Sequence, residues 1–266
     1  MHTMAGIFIA SGVLTAIGIG LLFARRSKKD KLLELKFTQT ATAKELHDLC
    51  NSVAAELGNA GGFSQMTEVK GIIECDAPLT SELAKHPCVY YAMTVEERYE
   101  ETVTEKDSQG REVRRTRTAT STVASNTQRT EFKVRDQTGT MTIDPTHADM
   151  DGVQILSKYE PAPSKGGFSF GSFALNASER KVLGYQLTET TIPLNRRTYV
   201  IGEATDRSGR LLIQKPADKE KPFIVTLKSE EELTRSTEST IKGLAIGAIA
   251  CFVIAAAVLV FSIVKP

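Results

Sequence analysis

The sequence predicts an α+β protein: a mainly antiparallel β domain, partly closed or barrel-like, flanked by two transmembrane helices, with one amphipathic helix near the N-terminus. Two long uncharged apolar runs, one near each end of the chain, predict the transmembrane helices. Between them lie short runs of β-branched and aromatic residues broken by turn residues, which is typical of strands and hairpins. The 41% of hydrophobic residues is therefore an average over two apolar ends and a polar middle.

The first apolar run, Met4 to Ala24, contains no charged residue and is followed at once by a cluster of cations. The cluster consists of Arg25, Arg26, Lys28, Lys29 and Lys31. A secretory signal peptide carries its positive charge before a shorter apolar core, so this order favours a membrane span. By the positive-inside rule, the cluster predicts that the central region is cytoplasmic in a bacterial-type cell. In an organelle membrane the same layout would place that region in an intermembrane space.

The second apolar run, Gly243 to Val264, has 22 uncharged residues. As a helix it reaches about 33 Å, enough to cross a hydrocarbon core of about 30 Å, whereas buried core helices are usually shorter and have a polar face. Both runs carry small residues at four-residue spacing, which would pack helix against helix, within one chain or between copies, or face lipid. They are Gly12, Ala16 and Gly20 in the first run and Gly243 and Gly247 in the second.

Between the spans, residues 25–65 are expected to form a basic juxtamembrane segment and an amphipathic helix, and residues 66–233 the β domain. The helix is predicted at Thr42 to Leu57, because its first residue and Glu45 form a capping box. Apolar residues recur along it at helical spacing, and Gly58 is typical of a helix end. It therefore presents one apolar stripe for packing.

The β domain is predicted to contain ten strands and a short helix at Leu79 to Lys85 that ends before Pro87. The candidate strands are Val69–Cys75, Cys88–Val103, Glu112–Thr118, Ser121–Val134, Thr140–Ile143, Val153–Tyr159, Gly184–Pro193, Thr198–Ala204, Leu211–Gln214 and Phe223–Leu227. After the last strand, Ser229 to Glu232 resembles a capping box, so a helix is expected to run from there into the second span.

Three connections in this region have Asp first and Gly fourth: Asp107–Gly110, Asp136–Gly139 and Asp206–Gly209. This pattern suits a type I turn that closes through a glycine with positive φ, a usual four-residue connection in a hairpin. The sheet is therefore predicted to be largely antiparallel.

A glycine-rich segment, Ser164 to Phe173, contains three phenylalanines: Phe168, Phe170 and Phe173. If exposed beside two spans, these side chains would insert into the bilayer or contact a partner. The alternative is a loop packed onto the sheet.

A second candidate contact is the arginine cluster of Arg111, Arg114, Arg115 and Arg117, on one arm of a predicted hairpin. It would contact anionic lipid headgroups or an acidic partner. The alternative is a solvated hairpin in which glutamates of the preceding strand are cross-strand counterions. Those glutamates are Glu96, Glu97, Glu100 and Glu101.

No enzyme motif is visible: the sequence has no G-x-S-x-G, no H-E-x-x-H and no phosphate-binding glycine loop. Three of the four cysteines, Cys50, Cys75 and Cys88, are unevenly spaced between the spans, as expected of reduced thiols. His86 lies near Cys88, but a small buried residue is the expected role of that cysteine. We expect no metal and no cofactor, and the net charge of +1 gives no reason to expect nucleic acid.

Several short motifs, in their order between two spans, resemble the GIDE domain, also called BAM for "beside a membrane". They are Gly71, the run Pro78-Leu79-Thr80-Ser81, Cys88 to Tyr91 with Tyr90, Phe132 to Asp144 with Asp136 and Gly139, and Tyr199 to Glu203 with Gly202. The resemblance covers roughly Val69 to Leu233 and both flanking spans. The family includes membrane-anchored ubiquitin ligases of mitochondria and chloroplasts, as well as bacterial and archaeal members.

In the eukaryotic ligases, the resemblance implies a domain that recruits substrates and a RING finger after the second span. A RING needs eight Cys or His ligands around two zinc ions. Here only Lys265 and Pro266 follow the second span, and Cys251 lies within it. The sequence therefore departs from the family where its ligase chemistry lies, and no catalytic residue is expected.

Three functions follow as expectations. The first is a membrane-anchored GIDE-like module that binds or recruits a protein or lipid partner at the membrane surface. The second is the substrate-recruiting part of an E3 ubiquitin-protein transferase system, with the RING supplied by another chain. The third is direct lipid sensing through the phenylalanine segment and the arginine cluster.

Overall fold

The computed structural model describes residues 2–37, 39–107, 109–163, 168–170, 173–175 and 181–264. The chain divides into two compact units. One contains residues 1–39, 216–222 and 228–266, and the other contains residues 40–215 and 223–227. The first is built from two long helices and the second from β-strands with one helix.

The helical unit contains α1, His2–Phe37, and α3, Glu230–Val264. Within them, Ile9–Lys29 and Glu230–Val260 are long and apolar enough to cross a membrane, by length and composition. The helix expected to run from Ser229 into the second span is confirmed. The backbone N–H of Glu232 donates to the Ser229 hydroxyl, and its side chain accepts from the Ser229 N–H.

The two long helices contact each other along one face of α1. Ser11 Oγ donates to the backbone oxygen of Ala255 at 3.4 Å, and a Cβ built on Gly18 would lie 2.9 Å from the Phe252 ring. Later residues of α1 meet earlier residues of α3, so the helices are antiparallel. Ser11 and Gly18 are seven positions apart, which places them on the same helix face.

The small residues expected at this contact are mostly elsewhere. A Cβ built on Gly12, Gly20 or Gly243 would meet no atom within 4 Å, whereas one built on Gly247 would lie 3.5 Å from Leu21. Within the described helices, the four-residue stripe of the first span therefore lies off the contact with α3. Self-association through it stays a prediction.

Helix α2, Ala43–Leu57, belongs to the β-rich unit and begins and ends as predicted. Thr42 and Glu45 form the capping box, and Gly58 ends the helix in the left-handed conformation at φ 71°. Leu46 and Cys50 are buried in the core, whereas Leu49 and Leu57 of the apolar stripe are 44% and 58% exposed, so only part of the stripe packs into the core.

The structure contains fourteen strands among the described residues. They are β1 Ser64–Glu74, β2 Leu79–Thr80, β3 Pro87–Lys106, β4 Glu112–Arg129, β5 Phe132–Arg135, β6 Thr140–Ile143, β7 Asp149–Asp151, β8 Val153–Pro161, β9 Phe168–Phe170, β10 Phe173–Leu175, β11 Lys181–Pro193, β12 Arg197–Thr205, β13 Leu212–Gln214 and β14 Ile224–Thr226.

Five strands close into a barrel in the order β1-β5-β6-β13-β12. The closing pair is β1 with β12, which runs antiparallel from Ser64 opposite Thr205 to Ile72 opposite Arg197. All neighbours in the barrel are antiparallel except β6 and β13. Beyond β12, β14 pairs antiparallel with it and β7 pairs parallel with β14. The fold class predicted from the sequence is confirmed.

The second sheet has the order β2-β3-β11-β8, and β4 pairs with β3. Two apolar clusters form the core of the unit. The first fills the barrel and includes Leu46 of α2, and the second lies on the second sheet around Met93 and Leu187. The described part of the glycine-rich segment adds the small hairpin β9-β10.

The three Asp-x-x-Gly connections each join antiparallel strands, as predicted. Gly110 and Gly209 have positive φ, at 78° and 84°. The expectation of positive φ is wrong at Gly139. There the backbone N–H of Asp136 donates to the oxygen of Gly139, which continues the hairpin ladder instead.

The predicted helix at Leu79 to Lys85 is wrong. The structure has the short strand β2 and a turn there, because the backbone N–H groups of Leu83 and Ala84 donate to the Glu189 carboxylate rather than to helical carbonyls. Two predicted strands between 112 and 134 also have different bounds. One continuous strand, β4, replaces the predicted break at 119–120, and β5 follows it.

We predict that Gly71→Ala destabilises the β-rich unit, because a Cβ there would lie 2.3 Å from the backbone oxygen of Arg135 on β5. The expected loss in the free energy of unfolding is about 1 to 3 kcal/mol. Gly139→Ala is the control: its Cβ would meet Ala43 at an ordinary 3.5 Å, so the change should stay within about 0.5 kcal/mol. Urea unfolding of the full chain in detergent, followed by tyrosine fluorescence, measures both; equal losses would contradict the prediction.

Candidate functional site

The hairpin of β3 and β4 continues beyond the sheet as a two-stranded ribbon. β11 pairs with β3 only as far as Glu100, which is opposite Lys181. From there to the turn, β3 and β4 pair only with each other among the described residues. We call residues 101–117 the hairpin arm; its described side chains are exposed or half-buried.

All four residues of the arginine cluster lie on the hairpin arm, and two of them have carboxylate partners. Arg117 Nε lies 2.6 Å from Glu101 and Arg111 Nε lies 3.0 Å from Asp107. In the described part of the chain, Arg114 and Arg115 have no ion pair. As consecutive residues of a strand, they point to opposite faces of the ribbon.

The expected cross-strand counterions are therefore only partly correct. Glu101 pairs with Arg117, but Glu100 binds Lys181 at 2.9 Å. Glu97 is only 5% exposed, and one of its carboxylate oxygens has no hydrogen-bond partner among the described residues. Burial, together with that carboxylate, raises the pKa of Tyr185.

The hairpin β9-β10, which carries the three phenylalanines, packs onto the second sheet where its side chains are described. Phe170 is 9% exposed and belongs to the second apolar cluster, and Phe173 packs against that cluster. Their rings stack with centroids 5.8 Å apart. The interpretation of a loop packed onto the sheet therefore applies to these two residues, and exposure of Phe170 is wrong. The side chain of Phe168 lies outside the described part.

A buried carboxylate organises the turn after β2. Glu189 of β11 is fully buried and accepts hydrogen bonds from the Ser81 hydroxyl at 2.9 Å and from the N–H groups of Leu83 and Ala84 at 2.8 Å. Ser81 Oγ in turn accepts from the His86 N–H. These charge-assisted bonds fix the turn between β2 and β3.

Cys88 is the second residue of β3, the strand that follows this turn, and its side chain is fully buried. Burial, with the nearby Glu189 carboxylate, raises the pKa of the Cys88 thiol to about 11. The thiol is therefore protonated at neutral pH, whereas a nucleophile or a zinc ligand needs the thiolate. Cys88 is therefore a small buried residue, as the sequence analysis expects.

Other positions singled out by the sequence also lie in structural roles. Asp136 Oδ2 accepts from the N–H of Ala43 at 2.7 Å, so the turn that contains Gly139 holds the first residue of α2. Burial opposes ionisation, but this bond and those from Thr138 outweigh it and lower the pKa of Asp136.

The end of β12 is similarly packed. A Cβ on Gly202 would lie 2.7 Å from Ile213 and 2.8 Å from Phe223, so only glycine fits this part of the barrel core. Next to it, Glu203 is 8% exposed and accepts from the Ser64 hydroxyl.

Three positions are nearer the surface. Pro78 is exposed and Leu79, in β2, is half-buried. Tyr90 is half-buried, with the Arg129 guanidinium 5.8 Å from its ring centroid. None of these contacts involves the hairpin arm.

Zinc ligands of the RING kind do not come together in the described residues, where no group of three His, Cys, Asp or Glu side chains could hold a metal ion. The four cysteines lie in different places: Cys50 in α2, Cys75 after β1, Cys88 in β3 and Cys251 in α3. These residues do not fit a RING zinc site.

In a comparison with known families, the model of the GIDE family, described as E3 ubiquitin ligase, matches residues 100–261. These residues are more than half of the chain. The chain belongs to the GIDE family. Comparisons with curated proteins and with solved structures gave no match.

The GIDE match begins at Glu100, so it includes the whole hairpin arm, the barrel strands β5, β6, β12 and β13, and most of α3. Asp136, Gly139, Gly202 and Glu203 lie inside the matched residues. Gly71, the Pro78 to Ser81 run and Cys88 lie before them, and their membership in the GIDE pattern stays a prediction.

Sequence reasoning missed Glu189, the central residue of the turn after β2. A signal was present: alternation along the run Gly184 to Pro193 places a charged residue at this position on the same side as the buried Leu187. A carboxylate on a buried apolar face needs hydrogen-bond donors, and the residues next to Glu189 in the sequence do not supply them. Its donors are more than a hundred positions away in the chain.

We predict that Glu189→Gln destabilises the β-rich unit by about 1.5 to 3 kcal/mol, because an amide replaces charge-assisted acceptors and directs its own donors at backbone N–H groups. Glu96→Gln, on an exposed position of the neighbouring strand, is the matched control and should change stability little. Urea unfolding of the full chain in detergent measures both. Equal stability of the two variants would contradict the role of Glu189.

We also predict that Cys88 is inert to alkylation in the folded chain. With a pKa of about 11, its thiolate fraction at pH 7 is about a hundredfold below that of an ordinary thiol, and burial slows access further. A variant with Cys50, Cys75 and Cys251 changed to alanine would react with iodoacetamide only slowly at pH 7. The rate should rise in urea. A rate at pH 7 equal to that of free cysteine would contradict the burial.

Proposed function

We propose that the chain is a membrane-anchored GIDE module whose β domain recruits a protein partner at the membrane surface. The observation that carries this proposal is the hairpin arm. It extends beyond the sheet with Arg114 and Arg115 exposed and without ion pairs in the described part of the chain. Two helices apolar enough to span a membrane support the anchoring.

An exposed ribbon of this kind adds little to the stability of its own domain. Its ion pairs are solvent-exposed, and such pairs contribute roughly 0 to 1 kcal/mol each. It contains only two hydrophobic residues, Val103 and Val113, and Val113 is 37% exposed, so its cross-strand contacts bury little apolar surface. The stability of the domain therefore does not explain the arm, whereas contact with another molecule would.

The first test is photo-crosslinking of the full chain in its native membrane. A photoreactive residue replaces Thr116, on the hairpin arm, and in a matched chain it replaces Arg197, on the exposed start of β12. We expect one saturable protein adduct at Thr116 and not at Arg197, lost in Arg114→Glu/Arg115→Glu. Adducts to lipid alone would support direct lipid sensing instead, and equal adducts at both positions would contradict a dedicated surface.

The second candidate function is the substrate-recruiting part of an E3 ubiquitin-protein transferase system, with the RING supplied by another chain. The family description as E3 ubiquitin ligase favours it. The described residues hold no cluster of zinc ligands, so in this candidate the chain binds the substrate and does not bind the conjugating enzyme.

Reconstitution with ubiquitin-activating and ubiquitin-conjugating enzymes tests this candidate. The full chain alone is expected to form no ubiquitin chains and to contain no stoichiometric zinc. Ubiquitin transfer to the crosslinked partner is expected only after addition of a separate RING protein. Zinc at one or two ions per chain, or ubiquitin chains without the second protein, would contradict the division of roles.

A further inference from the structure

The outer edge of β4 is unpaired in the described part of the chain, since β4 pairs there with β3 alone. Such an edge offers a row of free N–H and C=O groups to another extended chain. The strand is long, from Glu112 to Arg129, and its register shifts opposite the step from Val95 to Glu96. That bulge leaves a regular segment from Glu112 to Thr122, about 36 Å long.

The side chains of this regular segment are suited to strand pairing. From Thr116 to Thr122, every second residue is an exposed threonine, and these four threonines lie on one face: Thr116, Thr118, Thr120 and Thr122. Threonine is β-branched and favours strands. Charged residues and proline are the two devices that commonly block pairing at an edge. The regular segment contains no proline, and its part 118–122 contains no charged residue.

Charge determines which kind of strand fits. β4 contains four arginines and one glutamate. Arg129 donates to the backbone oxygens of Pro145 and Ala148, and Arg117 pairs with Glu101, so Arg114 and Arg115 remain for a ligand. A second copy of β4 would bring more arginines than carboxylates, so like charges would oppose its pairing.

We infer that the edge of β4 from Glu112 to Thr122 binds an extended acidic segment of a partner protein by strand addition. The partner segment carries two adjacent carboxylate residues, because Arg114 and Arg115 point to opposite faces and a paired strand alternates in the same way. Beyond them it carries uncharged residues beside the threonines. Main-chain hydrogen bonds supply affinity, and the two arginines set register. This inference rests on the proposed recruitment of a protein partner.

The test uses the full chain in nanodiscs of zwitterionic lipid and three synthetic peptides. The first alternates threonine and valine and ends in two glutamates. The second has lysines in place of the glutamates. The third keeps the glutamates but is N-methylated at alternate residues, which removes main-chain donors. Fluorescence anisotropy gives the affinities, and hydrogen exchange locates the bound peptide.

We expect the acidic peptide to bind and to slow amide exchange between Glu112 and Thr122. The lysine peptide and the N-methylated peptide should each bind about tenfold or more weakly. Arg114→Glu/Arg115→Glu should weaken binding by about tenfold, and added salt should also weaken it. Arg196→Glu/Arg197→Glu, which reverses two consecutive exposed arginines elsewhere on the unit, is the matched control and should bind normally.

Four results would overturn the inference: equal binding of the N-methylated peptide, protection at other strands, unchanged binding by the Arg114/Arg115 variant, or protection of β4 that depends on protein concentration without peptide. The last result would indicate a second copy as the occupant. Binding to anionic vesicles but not to the peptide would also overturn it, in favour of lipid.

A further variant separates strand addition from recruitment. If the Thr116 adduct in native membranes persists in a Thr120→Pro variant, strand addition fails while recruitment stands. If no adduct forms at all, recruitment fails.

Discussion

The structure depends on closure of the barrel by the pairing of β1 with β12. β12 is buried along its whole length except at Arg197, because it has strands on both sides and core on its inner face. These two strands are also closely packed on their other sides: a Cβ on Gly71 of β1 would clash with Arg135 of β5, and one on Gly202 of β12 would clash with Ile213 of β13. Once closed, the barrel has a single apolar interior, and Leu46 and Cys50 of α2 belong to the cluster that fills it.

The second sheet is attached to this barrel by two strands that run from one core into the other. β3 places Val89 in the barrel cluster and Met93 in the second cluster. β11 does the same with Ile192 and Leu187. Because both strands are shared, the base of the hairpin that carries the arm is fixed by the barrel. The free part of the hairpin begins beyond Glu100, which is opposite Lys181, the first residue of β11.

Local signals in the sequence were sufficient for elements whose partners are near in the chain. The capping box at Thr42 and the Asp-x-x-Gly turns specify structure within a few residues, and both were predicted. Contacts between distant residues were not predictable. The turn after β2 looks helical by composition, but Glu189 on β11 holds its N–H groups. The sequence left open whether Phe170 is exposed or packed, because the apolar surface that it covers comes from the distant strands β3 and β11. The arginine cluster was found, and the turn at Asp107–Gly110 sets the register that pairs Arg117 with Glu101, but Glu100 pairs with Lys181 of the distant strand β11.

Most residues that carry the GIDE resemblance lie in packing and hydrogen-bonding positions, Pro78 being exposed, and all of them are separate from the hairpin arm. Ser81 and Asp136 accept or donate within the domain, and Gly202 gives space to the barrel core. Changing such residues alters whether the domain folds, so their pattern specifies a scaffold. Side chains of the arm make few contacts with that scaffold, and they can vary in charge without loss of the barrel. In the proposed function, the scaffold would hold the hairpin arm in place, and the chemistry of the arm, two arginines without ion pairs in the described part of the chain beside an open strand edge, would select the partner.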